Sequence, residues 1–84
     1  MNKIDWAPKA VRQLLRFPVD DQQTLRSGVE TLADFPQCSN IKKLVDHRSQ
    51  YRLRIGRFRI FFDFDGMAHI VHVEEVRRRD DNTY

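Results

Sequence analysis

From Tyr51 onward the apolar residues of this chain recur at every second position, and that alternation limits the possible folds more than any other feature. Tyr51, Leu53 and Ile55 alternate with Arg52 and Arg54; Phe58, Ile60, Phe62 and Phe64 alternate with Arg59, Phe61 and Asp63. A period of two sends successive side chains to opposite faces of a strand, so each run predicts a strand with one buried face. Gly56-Arg57 separates the runs and suits a two-residue II′ turn with glycine first, and Asp65-Gly66 beyond them is a I′ signal. The first turn sets Ile55 against Phe58, Arg54 against Arg59, Leu53 against Ile60 and Arg52 against Phe61. The second sets Phe64 against Met67, Phe62 against His69, Ile60 against Val71, Arg59 against His72 and Phe58 against Val73. One face then carries Tyr51, Leu53, Ile55, Phe58, Ile60, Phe62, Phe64, Met67, Val71 and Val73 as a core. The other carries a row of Arg54, Arg59 and His72, with Arg52, Phe61 and Ile70 beside it and Glu74 beyond.

Upstream the period is that of helices. Lys3 to Trp6 is a short strand, and Pro8 suits the first turn of a helix, where its missing N–H is no loss. Val11, Leu14 and Leu15 share one face of that helix, which Phe17-Pro18 ends. A second helix is expected from about Val19 to Asp34, with Asp20 and Asp21 at the positive end of its dipole and Leu25, Val29 and Leu32 as its apolar stripe. Gly28 inside it costs about 1 kcal/mol relative to alanine. Phe35-Pro36 stops it. The expected fold class is α+β: two N-terminal helices on one face of an antiparallel sheet, in the order β-α-α-β-β-β, as a single domain over residues 1–84.

The chain has 84 residues, 40% of them hydrophobic, and a single cysteine, Cys38. It must hold together by packing alone, since one cysteine excludes an intrachain disulfide and a cysteine-rich zinc site. No His, Cys and carboxylate spacing points to a metal, and neither a phosphate-cradling glycine loop nor a serine or cysteine nucleophile arrangement is present. No cofactor is expected. There is no apolar leader region and no run near the ~20 apolar residues needed to cross a bilayer, so the expectation is a cytoplasmic protein with no membrane role.

Net charge is +3, but between Lys42 and Arg59 seven cations (Lys42, Lys43, Arg48, Arg52, Arg54, Arg57, Arg59) face one anion, Asp46. Concentrated arginines with interleaved aromatics are the electrostatic footprint of phosphate binding. Two arginines directly opposite one another repel, so their pairing costs stability unless something anionic relieves it; Glu74 is the internal option. Phe61 and Ile70 on the same face imply cover by the chain's own tail or by a partner. The run Val76 to Tyr84 holds Arg77, Arg78 and Arg79 and can fold back beside the arginine row, where Tyr84 could stack on a nucleobase. His69 falls on the core side and His47 precedes the basic strand; both read as structural.

The hairpin Tyr51-Arg52-Leu53-Arg54-Ile55-Gly56-Arg57-Phe58-Arg59-Ile60-Phe61-Phe62, preceded by two helices and a Lys42-Lys43-Leu44 segment and followed by a strand and an arginine-rich stretch ending in tyrosine, resembles the RelE/ParE superfamily of bacterial toxins over nearly the whole chain. RelE-like members are ribosome-dependent endonucleases that cleave mRNA in the A site and are held inactive by a cognate antitoxin; ParE-like members poison DNA gyrase. The RelE-like branch is the expectation, with a gyrase inhibitor lacking nuclease activity as the alternative. The resemblance implies metal-independent attack of the RNA's own 2′-hydroxyl on the adjacent phosphate. In it, Arg59 matches the family's phosphate-supporting arginine, and Arg52 and Arg54 occupy the positions of two basic residues on the preceding strand. Arg78 best matches the tail arginine, with Arg77 and Arg79 in neighbouring registers, and Tyr84 matches the tail tyrosine. Arginine effectively cannot deprotonate, so Arg52 and Arg54 can stabilise charge but are poor bases. For proton transfer the residues on offer are His72, favoured in its neutral form by neighbouring cations, and Tyr84, with Glu74 behind them. Arg52, Lys42, Lys43, Arg57, Arg77 and Arg79 complete the expected RNA- and phosphate-binding set. The expected partners are an antitoxin whose acidic segment wraps the toxin, the ribosomal A site with its rRNA, and mRNA.

Overall fold

The computed structural model describes residues 1–79. Two helices, α1 (Pro8–Leu15) and α2 (Val19–Glu30), lie against a five-stranded sheet of β1 (Lys3–Trp6), β2 (Ile41–Lys43), β3 (Tyr51–Ile55), β4 (Phe58–Asp65) and β5 (Ile70–Arg78). The strand order is β1-β5-β4-β3-β2. All neighbours are antiparallel except β1 and β5, which run parallel and join the two ends of the chain's fold. The α+β expectation holds, with one addition: Ile41–Lys43 forms an edge strand on β3, pairing Lys42 with Arg52. Helix α2 ends at Glu30 and a 3-10 turn carries the chain from Thr31 to Asp34.

The β3–β4 hairpin has the register that its turn implies, Ile55 against Phe58 through Tyr51 against Phe62, with Arg54 against Arg59. Gly56 sits at φ 56°, the left-handed value that its place in the turn requires and that costs a glycine nothing. The β4–β5 connection differs. Asp65 pairs with Ile70, leaving Gly66 to His69 as a four-residue loop. The Asp65 carboxylate accepts hydrogen bonds from the backbone N–H groups of Met67 and Ala68, 3.1 Å each, and His69 takes φ 57°. This local side-chain capping outcompetes the two-residue I′ turn, which needs positive φ at both central positions. Met67 is consequently 95% exposed rather than part of the core, and His69 lies in the turn rather than opposite Phe62.

Each β4 residue up to this point meets a β5 residue four positions later than the shorter turn would give. Four is even, so Val71 and Val73 keep their core-facing side, opposite Phe64 and Phe62. Between Phe61 and Phe62 the ladder shifts by one more position, because Glu74 is an extra residue in β5. A one-residue bulge reverses the faces of everything beyond it. Val76 therefore turns into the core opposite Ile60, Glu75 comes opposite Phe61, and Arg77 comes opposite Arg59. Helix α1 covers β5 where β1 ends: the Gln13 side-chain oxygen accepts the Val76 N–H at 2.7 Å, satisfying a donor that the bulge takes out of the ladder.

The core is one cluster, with Leu14, Leu25, Val29 and Leu32 from the helical layer packed on Leu53, Phe58, Ile60, Phe62, Val71, Val73 and Val76 from the sheet. Phe35 leads the chain back to the sheet and meets Tyr51, Phe62 and Phe64 edge-on at 5.0 to 5.3 Å between centroids. The buried Asn2 ties the N-terminus to this corner: its side-chain amide donates to the carbonyls of Leu32 and Phe35, at 3.2 and 2.8 Å. Replacing Asn2 with alanine leaves both acceptors buried without that donor, and we expect a loss of about 1–3 kcal/mol in urea unfolding; an unchanged midpoint would count against this account. The glycine inside α2 also has a packing reason, since a Cβ at Gly28 would stand 2.3 Å from Ile55 Cδ1 and 2.8 Å from its Cγ1. The helix gives up propensity there so that β3 can approach it.

Candidate functional site

The open face of the sheet, away from the helices, carries the site, and its layout follows from the registers. One row crosses three strands as Arg54, Arg59 and Arg77. The next crosses four as Lys42, Arg52, Phe61 and Glu75. Farther along are Asp63 and His72, cross-strand partners, with Asp5 beside His72 on β1. Charge is thus graded along the face, with guanidinium groups at the β3–β4 turn end and carboxylates at the other.

Arg54 and Arg59 face each other, and among the described residues neither has a carboxylate within ion-pair distance. Arg52 stands beside them; burial, and then the charges of Arg59, Arg54 and Arg79, push its pKa below the ordinary arginine value. Its Nε–H is buried with no hydrogen-bond partner among the described residues. An unpaired buried donor among like charges is a strained arrangement that a bound anion would relax. Arg77 is the row's balanced member. Its Nε lies 3.2 Å from Glu75 Oε1, and that same oxygen is 3.4 Å from Lys9 Nζ at the start of α1.

Burial pushes the Glu75 carboxyl up, yet Lys9 and Arg77 together outweigh it and hold the group below its ordinary value of 4.5. A depressed carboxylate stabilises the fold above its unfolded pKa and loses that contribution as pH falls through the folded value. Glu75→Gln should therefore cost about 1 kcal/mol at neutral pH, as expected for charge-assisted bonds to half-exposed partners. The gap between variant and parent should close as pH falls below the range of a free carboxyl. A gap independent of pH would show that the loss is one of packing.

The structure brings together Arg52, Arg54, Arg59, Arg77 and Arg79 with Lys42, and separates others from them. Arg78 pairs with Phe58, in phase with the core residues, so the tail arginines placed at the row are Arg77 and, just past the strand, Arg79. Lys43 pairs with Tyr51, also in the core phase, at the sheet edge. Arg57 is exposed at the turn and its carbonyl accepts from Arg79 N–H. His72 is not opposite Arg59. The longer turn by itself moves it opposite Asp63, and its Nδ1 lies 3.4 Å from Asp5 Oδ2. Its neighbours are carboxylates and not guanidiniums, so the electrostatic argument for a base at His72 lapses. Glu74 occupies the bulge and is not the internal partner of the Arg54 and Arg59 pair; the carboxylate of this row, Glu75, pairs with Arg77 and Lys9. Tyr84 lies outside the described residues.

Two residues of this face have no functional place in the sequence pattern. Glu75 is one. The other is His47, which reads as structural from sequence; its ring lies on Phe61 with centroids 4.8 Å apart and planes 14° apart, so the cover that Phe61 needs comes from the loop before β3. Among the described residues no group of His, Cys, Asp and Glu could hold a metal ion, and no helix is long and apolar enough to cross a membrane.

The fold has known counterparts. The toxin–antitoxin complex RelBE2 of Mycobacterium tuberculosis contains a chain that superposes with a TM-score of 0.82 at 19% identity, covering 93% of this chain and 98% of that one. In the archaeal RelE–RelB complex of Pyrococcus horikoshii OT3 the values are 0.76 and 16%, covering 93% and 94%. For the isolated RelE toxin of E. coli they are 0.76 and 14%, covering 93% and 84%. No curated protein is significantly similar in sequence. These likenesses give the fold. In sequence, residues 4–83 match the family described as ParE toxin of type II toxin-antitoxin system, parDE. With nearly the whole chain inside that match and the sheet and helices of RelE around an arginine face, the chain belongs to the ParE toxin family, within the RelE/ParE superfamily of type II toxin–antitoxin toxins.

Proposed function

We propose that this toxin is a ribosome-dependent endoribonuclease that cleaves mRNA in the A site. The observation that carries the reading is the facing pair Arg54 and Arg59, left without a carboxylate among the described residues beside the buried, unpartnered Nε of Arg52. In the reaction, the 2′-oxygen attacks the adjacent phosphorus and the bond to the 5′-oxygen breaks, giving a cyclic phosphate and a free 5′-hydroxyl. One proton leaves the 2′-hydroxyl and one is delivered to the departing oxygen. Arg54 and Arg59 stabilise the charge that develops on the phosphorane, and Arg77 is the third cation, held in place by Glu75. With His72 beside Asp5, proton transfer is assigned to Tyr84.

The same unbalanced charge fits an antitoxin with an acidic, amphipathic segment that folds over the face. Complexes with antitoxins are what the M. tuberculosis and P. horikoshii relatives form. Such binding should weaken as salt rises, because exposed charge pairs are screened; salt-independent association would count against it. The family match to ParE favours a second reading, a gyrase poison without nuclease chemistry. Brief expression followed by mapping of mRNA 5′ ends, with plasmid supercoiling measured in parallel, separates the two. In-frame mRNA cuts with normal supercoiling support the nuclease, and the converse supports the gyrase poison.

A further inference from the structure

Phe61 is an aromatic residue on the polar face of the sheet, yet it is only 8% exposed. Its cover is His47, from the loop between β2 and β3. Three observations make this more than a chance contact. The rings are nearly parallel, 14° apart at 4.8 Å. The ring of His47 is pinned from its edge, because the buried Ser49 donates its backbone N–H to Nδ1 at 3.0 Å. And the loop is shaped for it, with Asp46 in the left-handed region at φ 54° immediately before. His47 itself is exposed, so one face of its ring rests on Phe61 while the chain leaves the residue open to solvent.

The stack stands where the cations meet the carboxylates. Phe61 is flanked in its own row by Arg52, with Lys42 beyond, on one side and by Glu75 on the other, and along β4 it lies two residues from Arg59 in one direction and from Asp63 in the other. Two residues along a strand span about 6.6 Å, comparable to the separation between a nucleotide's phosphate and its base. We propose that the exposed face of His47, backed by Phe61, is a stacking platform for a nucleobase of single-stranded RNA whose phosphate sits between Arg54 and Arg59. A flat ring fixed at its edge binds a base at little entropic cost, and stacking accepts any base because every base has a π-face. With Nδ1 accepting from Ser49, the neutral ring carries its proton on Nε2, which gives the platform one outward donor. This inference rests on the nuclease reading for the phosphate's place and adds a base-binding residue that the arginine row does not include.

The test uses short single-stranded RNA labelled with a fluorophore, and the same ribose-phosphate chain with one internal base removed, titrated against purified full-length toxin at low salt. The intact RNA should bind about 5- to 150-fold more tightly than the abasic one, the range of one base–aromatic stack. His47→Ala should erase that difference, and His47→Trp should keep or enlarge it, with both variants as stable to urea as each other. Equal weakening by alanine and tryptophan would mean that the imidazole is a lid specific to Phe61 and would overturn the platform. So would wild-type binding that ignores the missing base. Arg59→Ala distinguishes this from failure of the parent reading: binding that depends on Arg59 but not on His47 sinks the platform alone, whereas RNA binding indifferent to both removes the nucleic-acid role of the face.

Discussion

Arg59→Ala is expected to abolish toxicity and to slow mRNA cleavage on translating ribosomes by about 10²–10³-fold, the usual cost of losing one group that stabilises developing charge. The fold should not suffer. Arg59 has no ion pair among the described residues and faces Arg54 across the strand pair, so its removal relieves a like-charge contact and leaves no buried acceptor unpaired. Removing it also takes away the strongest of the charges that, after burial, depress the neighbouring Arg52. An unfolding midpoint equal to or slightly above that of the parent, together with lost cleavage, is the expected pair of results. Arg59→Lys is the informative companion, since lysine restores a point charge without the planar fork that matches phosphate oxygens, and it should recover only part of the rate. Wild-type cleavage by Arg59→Ala would remove the phosphate site from the arginine row. Retained toxicity with altered supercoiling would move the face to a protein target.

The part of this site that is legible in sequence is the part fixed by local chemistry. Gly56 can take a positive φ and its neighbours alternate cleanly, so the pairing of Arg54 with Arg59 follows from counting. Asp65-Gly66 looks equally clear but is decided by a competition between turn types, and the Asp65 carboxylate tips it toward the longer loop. An even shift leaves the faces unchanged, whereas the extra residue Glu74 reverses them. There the signal is present in the chain, since Val71 and Val73 keep the period of two and the next apolar residue is Val76, three positions on. A step of three in a strand marks a bulge, and only together with the four-residue turn does it bring Arg77, and not His72, to the arginine row. The stack of His47 on Phe61 and the reach of Lys9 to Glu75 are tertiary contacts between elements far apart in sequence, and no local pattern announces them.

Phe62→Ala is expected to destabilise the protein by about 3–5 kcal/mol, the typical cost of emptying a buried phenylalanine site. Phe62 has no exposed surface and sits where the layers meet, with Phe35 edge-on at 5.3 Å and Tyr51 stacked at 5.4 Å. It is also the last β4 residue before the bulge, paired with Val73, so its packing helps to hold the register that delivers Arg77 to the face. A domain of this size has roughly 4–13 kcal/mol of total stability. The substitution therefore consumes a large share of it, and thermal unfolding should move down by about 15 °C or more. Phe62→Leu, which keeps much of the volume, should lose well under half as much. Because the Phe62 side chain lies in the core, on the opposite side of the sheet from the arginine row, cleavage by Phe62→Leu at a temperature where it remains folded should match the parent. A Phe62→Ala protein that melts within a few degrees of the parent would show that the aromatic corner of Phe35, Tyr51 and Phe62 does not support the sheet. A folded Phe62→Leu protein with lost cleavage would show instead that the register past the bulge depends on the full ring.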